Sequence, residues 1–265
     1  MSAQTVADVK SCCSAAYSSP AAAFLLGESL HPGGAALTQR LADAVQLRSG
    51  QRVLDVASGR GTTALLLARE YAVAVDGVDL SDASVREATA AAQRAGPAAR
   101  VAFHLADAEH LPFEDGTFDA LTCECSWCLV PDKAQAAAEF ARVLRPGGRL
   151  GVTDVTVGPA GVPDGLAELP AWIACLAGAC TTDGYVGLLT TAGLTVARVE
   201  DHGDALAELV ARIQARLKLA RALAEPNAQL DTDAVERGLV LAARAAQAVS
   251  QGALGYCLIV ARRDR

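Results

Sequence analysis

Aromatic residues are scarce in this chain of 265 residues, at 4 %, so a core must be built from Ala, Leu and Val. No apolar run approaches the roughly 20 residues needed to cross a bilayer. The opening MSAQTVADVK lacks the basic-then-apolar order of a secretory leader. A cytoplasmic protein without a membrane partner is expected. Positive charge is short as well: the formal net charge is -7. Its arginines are scattered, with Arg262–Arg263 as the only short cluster. A chain of this sign repels phosphate backbones, so nucleic acid is not an expected substrate. Internal repeats and low-complexity linkers are absent too. Hydrophobic residues reach 52 % against 20 % charged, which excludes a disordered chain and supports a sizeable core.

What is present is an alternation of strands and helices. The first 50 residues read as helical, with an apolar Ala21–Leu26, a His31-Pro32-Gly33-Gly34 turn and an amphipathic Ala35–Leu47. Strands follow at Arg52–Val56, Ala74–Asp79, Val101–Leu105, Ala120–Cys123 and Arg149–Thr153. Between them the pattern predicts helices at Thr62–Glu70, Asp82–Ala95 and Lys133–Leu144, the last closed by Arg145-Pro146-Gly147-Gly148. Such alternation implies an α/β fold: a doubly wound, mostly parallel seven-stranded sheet with helices on both faces. Leu166–Ala177 and Tyr185–Ala192 look helical, and Leu194–Glu200 looks like a strand. Leu206, Leu209, Val210, Ile213 and Leu217 recur at helical spacing, and Asp231–Gln251 is a second helix. Gly255–Ala261 closes the sheet as an antiparallel strand. The expected organisation is one domain: an N-terminal helical cover (1–50), a cofactor-binding core (51–155), and acceptor-side helices with an insertion at 203–251 and the last strands (156–265). The insertion is read as a small cap or a dimer contact.

Ligands of open α/β sheets bind beyond the carboxyl ends of the strands. The first strand ends in Asp55-Val56-Ala57-Ser58-Gly59-Arg60-Gly61, whose glycines let backbone approach a ligand. Alone, this is as consistent with a tight strand-to-helix connection. Asp79, at the end of the second strand, is placed to accept from ribose hydroxyls, or else to cap a helix. Asp107, beyond the third strand, can accept from an adenine amino group beside the small Ala108, or simply turn a loop.

Together these segments resemble the class I S-adenosylmethionine-dependent methyltransferases: Val53–Gly61, Gly77-Val78-Asp79-Leu80-Ser81, Ala106-Asp107-Ala108-Glu109, Phe113–Asp119 and Arg142–Leu150. The resemblance covers roughly residues 50–155. It implies S-adenosyl-L-methionine as cofactor, held by Asp55, Ala57, Gly59, Gly61, Asp79, Leu80, Asp107, Ala108 and Cys123. Ala57 stands where the family commonly has Gly, a change tolerated if the backbone there avoids positive φ.

The chain has eight cysteines, which in a reducing compartment do not form a disulfide framework. They gather beyond the strands that border the acceptor position: Cys123, Cys125 and Cys128, then Cys175 and Cys180, with Cys12 and Cys13 near the N-terminus and Cys257 in the last strand. Cys123 and Cys125 share a face if that segment stays extended. Buried small hydrophobes explain any single one. A zinc or iron–sulfur site lacks paired Cys-x-x-Cys spacing. The Cys125 and Cys175 segments resemble the arsenic-binding segments of arsenite methyltransferases. That resemblance implies trivalent arsenic held by Cys125, Cys175 and Cys12 or Cys13, and attack by its lone pair on the cofactor methyl without a general base. The substrate is then a metalloid or small molecule, with a glutathione conjugate as one form. The N-terminal region and the 203–251 insertion do not share that resemblance. The other readings are a methyltransferase for a small organic acceptor, with cysteines merely lining its pocket, and a non-catalytic metalloid sensor. An O- or N-acceptor calls for a base; the candidates are His31, His104, His110, Glu124 and His202. Trp127 and Trp172 either wall the pocket or pack the core.

Overall fold

The computed structural model describes residues 24–27, 30–96, 100–163, 166, 176, 178–224 and 232–265. Seven strands form one sheet: β1 Arg52–Val56, β2 Ala74–Asp79, β3 Val101–Leu105, β4 Phe118–Glu124, β5 Leu144–Val157, β6 Leu194–Asp201 and β7 Leu254–Arg263. Their order is β3-β2-β1-β4-β5-β7-β6. The β1–β2, β1–β4, β2–β3 and β4–β5 pairs are parallel, whereas β7 runs antiparallel to both β5 and β6. This is the doubly wound, Rossmann-like sheet, reversing outward from β1 so that ligand space opens where β1 and β4 diverge. The helices are α1 Gly34–Ala44, α2 Thr62–Tyr71, α3 Asp82–Ala95, α4 Lys133–Val143, α5 Thr182–Thr191, α6 Gly203–Ala224 and α7 Thr232–Ser250. Most of the helix expected at Leu166–Ala177 lies outside the described residues. No described helix is long and apolar enough to cross a membrane.

Side chains alternate across each strand, and the alternation divides the core in two. Cys257, Ile259 and Ala261 of β7 join Leu54, Leu121 and Leu150 on one face, against Phe140 of α4 and Tyr185 of α5. Tyr256, Leu258 and Val260 join the opposite face, against Leu41 of α1, Leu206 and Val210 of α6 and Ala248 of α7. Gly151 in β5 permits the close approach of α1: a Cβ there would lie 2.7 Å from Leu41 Cδ1 and from Val45 Cγ1. Arg40 Nε donates to Glu200 Oε2 at 3.0 Å and ties α1 to β6.

Three local outcomes differ from the sequence expectations. Arg145-Pro146-Gly147-Gly148 does not follow the helix as a separate turn. It lies inside β5 as a bulge, because pairing with β4 jumps from Phe118↔Leu144 to Ala120↔Arg149, with Gly147 at φ 81°. Ala57 takes φ 56°, so the condition for tolerating alanine is not met and its Cβ sits in the left-handed region. Cys125 takes φ 52°, so extended backbone ends at Glu124 and Cys123 and Cys125 do not share a strand face.

Candidate active site

A cleft opens at the carboxyl ends of β1, β2, β3 and β4, the position the fold reserves for a ligand. Its floor is the turn after β1. Ser58 N–H donates to Val78 O at 2.9 Å, drawing that turn onto β2. Gly59 N–H donates to Asp79 Oδ2 at 2.9 Å, and Ser81 N–H donates to Asp79 Oδ1 at 2.8 Å. Asp79 therefore shapes the glycine turn while lining the cleft. Burial raises its pKa and those two N–H donors pull it back. Helix α3 is capped by another residue: Ser81 Oγ accepts from Ser84 N–H at 3.2 Å. Gly61, at φ 82°, starts α2, and a Cβ there would meet Phe103 Cζ at 2.5 Å. It keeps helix and sheet close without lining the cleft.

Asp55 is fully enclosed at the end of β1. Thr122 Oγ1 donates to its Oδ1 at 2.9 Å, while Oδ2 has no hydrogen bond of ordinary geometry. Burial, and then the nearby Glu124 charge, push its pKa up to about 8; Thr122 and the Ala64 N–H in the first turn of α2 act in the opposite direction. A buried carboxylate oxygen without a partner is costly unless a ligand completes it. Because Asp55 lines the cleft, a cationic ligand group would do so.

Asp107 accepts from Glu109 N–H at 3.0 Å and faces the cleft beside Ala106 and Ala108. The loop behind it is held by Arg142 of α4. Its guanidinium donates to Leu111 O at 3.0 Å and to Phe113 O at 2.7 Å, and Leu111 N–H donates to Glu139 Oε2 at 2.7 Å. Leu80 also lines the cleft and is 44 % exposed, so it offers an apolar edge. Asp55, Ala57, Gly59, Asp79, Leu80, Asp107 and Ala108 thus converge on one cleft. Cys123 lies elsewhere: it is 1 % exposed within the core cluster, its Sγ is 3.2 Å from Ser126 Oγ, and burial pushes its thiol pKa up.

At the other end of the cleft, Glu124 closes β4. Its Oε2 accepts from Thr63 Oγ1 at 2.8 Å and from Thr38 Oγ1 at 3.0 Å. His31 Nε2 lies 3.6 Å from the same oxygen and 3.3 Å from Thr38 Oγ1. His31 Nδ1 is 3.0 Å from Pro32 O, which assigns the Nδ1 proton to that carbonyl and leaves Nε2 as the basic nitrogen. His31 and Glu124 were among the candidate bases; Thr38 and Thr63 carried no signal in the sequence that would have marked them. The other candidates lie elsewhere. His104 pairs with Asp76 at 3.0 Å, His202 with Glu200 at 3.2 Å, and His110 bridges to Asp107.

Of the described thiols, Cys125 alone lines the cleft. Cys128 is buried and its N–H donates to Asp154 Oδ2 at 2.8 Å. Cys257 is buried in the core, where desolvation raises its thiol to about 12. Cys12, Cys13, Cys175 and Trp172 lie outside the described residues. Among the described residues no three thiols converge. Trp127 is buried against Phe140 and Tyr185 and donates to Lys133 O at 3.2 Å, a core role. Cys125 and Leu30 also border a second cavity, which is apolar and half walled by α6 and α7.

The general methyltransferase-domain family matches residues 53–148. Methyltransferase GfsG of Streptomyces halstedii is 35 % identical over 184 residues, 66 % of this chain and 64 % of its own length. The 27-O-demethylrifamycin SV methyltransferase of Amycolatopsis mediterranei is 34 % identical over 191 residues, 67 % of this chain and 70 % of its own. An arsenite methyltransferase of Halobacterium salinarum is 33 % identical over 153 residues, 57 % of this chain but 39 % of its own. Among solved structures, the [4+2]-cyclase SpnF is 28 % identical with a TM-score of 0.70, covering 86 % of this chain and 80 % of its own. The Haemonchus contortus phosphoethanolamine N-methyltransferase 2 bound to S-adenosyl-L-methionine shares the fold, at 18 % identity and a TM-score of 0.81 over 97 % of this chain and 60 % of its own.

Proposed function

Since the chain belongs to the S-adenosylmethionine-dependent methyltransferases, we propose that it methylates a hydroxyl-type oxygen of a small organic molecule, with His31 and Glu124 removing the proton. The observation that carries this reading is the buried Glu124–His31–Thr63 group on the cleft wall, backed by Thr38. Bound S-adenosylmethionine supplies an electrophilic methyl on a sulfonium and departs as the neutral thioether.

The residues present fit that cofactor. Asp55 Oδ2 makes no hydrogen bond of ordinary geometry within the chain, and the α-ammonium of the methionyl end is the cationic group that would satisfy it. Asp79, fixed by two backbone N–H groups, presents its remaining lone pairs to the ribose hydroxyls. Asp107 would take the adenine amino group, with Ala106 and Ala108 small enough for a flat ring.

The acceptor's proton passes to His31 Nε2. The Pro32 carbonyl holds the ring through Nδ1, and the Glu124 carboxylate stabilises the imidazolium that forms. Thr38 and Thr63 fix Glu124 by donating to it, so the pair is oriented before an acceptor arrives. General-base assistance of this kind is worth about 10²–10⁴ in rate.

A thiolate-held arsenic acceptor is supported by Cys125 on the cleft wall and by the arsenite methyltransferase relative. It requires two further thiols there, and that reading assigns them to Cys175 and to Cys12 or Cys13.

Labelled S-adenosylmethionine with a panel of phenols and alcohols, and separately with arsenite and glutathione, tests both. Methyl ethers should form, and Glu124→Gln should slow their formation by as much as about 10²–10⁴ while cofactor affinity persists. Methylarsenicals in the absence of any ether would overturn the organic reading.

A further inference from the structure

Beyond Cys125 the cleft meets a second cavity, lined by aliphatic side chains. The two spaces share Leu30 and Cys125 as walls. His31 stands between Leu30 and Pro32, and Glu124 precedes Cys125, so the proton-removing pair sits at the junction. The rest of the described cavity wall is hydrocarbon: α6 contributes Leu209 and Val210, α7 contributes Ala245 and Val249, and among the described residues no Lys, Arg, Asp or Glu lines it.

We infer that this cavity receives the body of the methyl acceptor, and that the acceptor is a neutral, elongated, hydrocarbon-rich molecule with its nucleophilic hydroxyl at one end. The inference rests on the methyl-transfer reading above and specifies its substrate class. A charged group carried into this space would lose its hydration with no counter-charge, which is strongly unfavourable. An acceptor bearing a phosphate or carboxylate tail is therefore rejected. A hydrocarbon tail instead gains affinity for each carbon it buries. Its length also sets which atom rests at the junction, because a molecule anchored by its tail presents only its opposite end to His31 and Glu124.

The test is calorimetric titration of the full chain, saturated with S-adenosylhomocysteine, against 4-alkylphenols from methyl to octyl. Affinity should rise about fourfold per added methylene, the change corresponding to ~0.8 kcal/mol, until the cavity is full. Phenols of equal length ending in a carboxylate should lose that gain. Ala245→Trp should bring the plateau to shorter chains, and Leu209→Ala should move it to longer ones. A flat series, equal binding of the carboxylate-tailed phenols, or a plateau unmoved by Leu209→Ala overturns the inference. Failure of S-adenosylhomocysteine itself to bind would instead overturn the methyl-transfer reading, so the two failures are distinguishable.

Discussion

The cleft and the apolar cavity share two wall residues and are built on opposite plans. The polar wall of the cleft consists of backbone and carboxylates at strand ends: sheet register places Asp55 and Asp79, and Asp107 follows two residues beyond β3. The cavity is lined by aliphatic side chains, half of them from the two helices inserted between β6 and β7. A polar site of fixed geometry suits one invariant ligand, because hydrogen bonds tolerate little displacement. A hydrocarbon wall can be reshaped one methylene at a time at modest cost. On the proposed reading, cofactor identity is written into the sheet, whereas acceptor identity is written into the α6–α7 pair and its neighbours.

The sharpest way to break this division is at its boundary. His31→Ala should lower kcat by about 10²–10⁴ while S-adenosylhomocysteine affinity, measured by calorimetry, stays within about twofold; an equal loss in both would make His31 part of the cofactor's own cradle. Next in size, Asp55→Asn should weaken cofactor binding about 10- to 100-fold, the worth of a charge-assisted hydrogen bond, and leave 4-alkylphenol affinity to the saturated protein unchanged.

Acidity sharpens the same contrast. Wild-type cofactor affinity should climb with pH through about 8, where Asp55 loses its proton. Without cofactor, the sign of the stability effect follows from linkage. The native pKa of about 8 lies above the unfolded 3.8, so across that interval the native state holds a proton that the unfolded chain has released. This group's contribution is thus fully present below 3.8, erodes as pH rises and is gone above 8. The limiting slope is about 1.4 kcal/mol per pH unit. Asp55→Asn should remove that part of the pH dependence in denaturant titrations, and an unchanged profile would show that Asp55 is ionised throughout. The smallest effect concerns Ala57. Glycine at that left-handed position should stabilise the protein by ~1 kcal/mol, raising Tm by about 2–4 °C; a lower Tm would mean that the Ala57 methyl makes contacts worth more than the relieved strain.

Legibility in the sequence follows the same boundary. Strands, their parallel arrangement and the carboxylates of the cleft were readable because each lies within a few residues of a strand end, and alternation fixes which way it points. The antiparallel last strand was readable from its apolar run. The left-handed turns at Ala57 and Cys125 were not, since neither residue type announces positive φ. For Cys125 that turn decided the outcome, because one backbone reversal sends its side chain to the cleft while Cys123 stays in the core. The bulge at Arg145–Gly148 was hidden because a Pro-Gly-Gly run marks a break in regular structure without saying whether it ends a helix or interrupts a strand. The Thr38–Glu124 contact joins residues 86 positions apart and belongs to no local pattern. Leu209, Val210 and Ile213 did show helical periodicity, but periodicity alone does not tell a wall around empty space from a packed core.

The placement of β7 between β5 and β6 bears on how the protein is born. Within the sheet β6 hydrogen-bonds to β7 alone, so a nascent chain still short of Leu254 has no edge on which to lay β6 and no floor for the α6–α7 pair. The cofactor half can assemble early from neighbouring segments. The α6–α7 pair reaches its final packing only once β7 is in place.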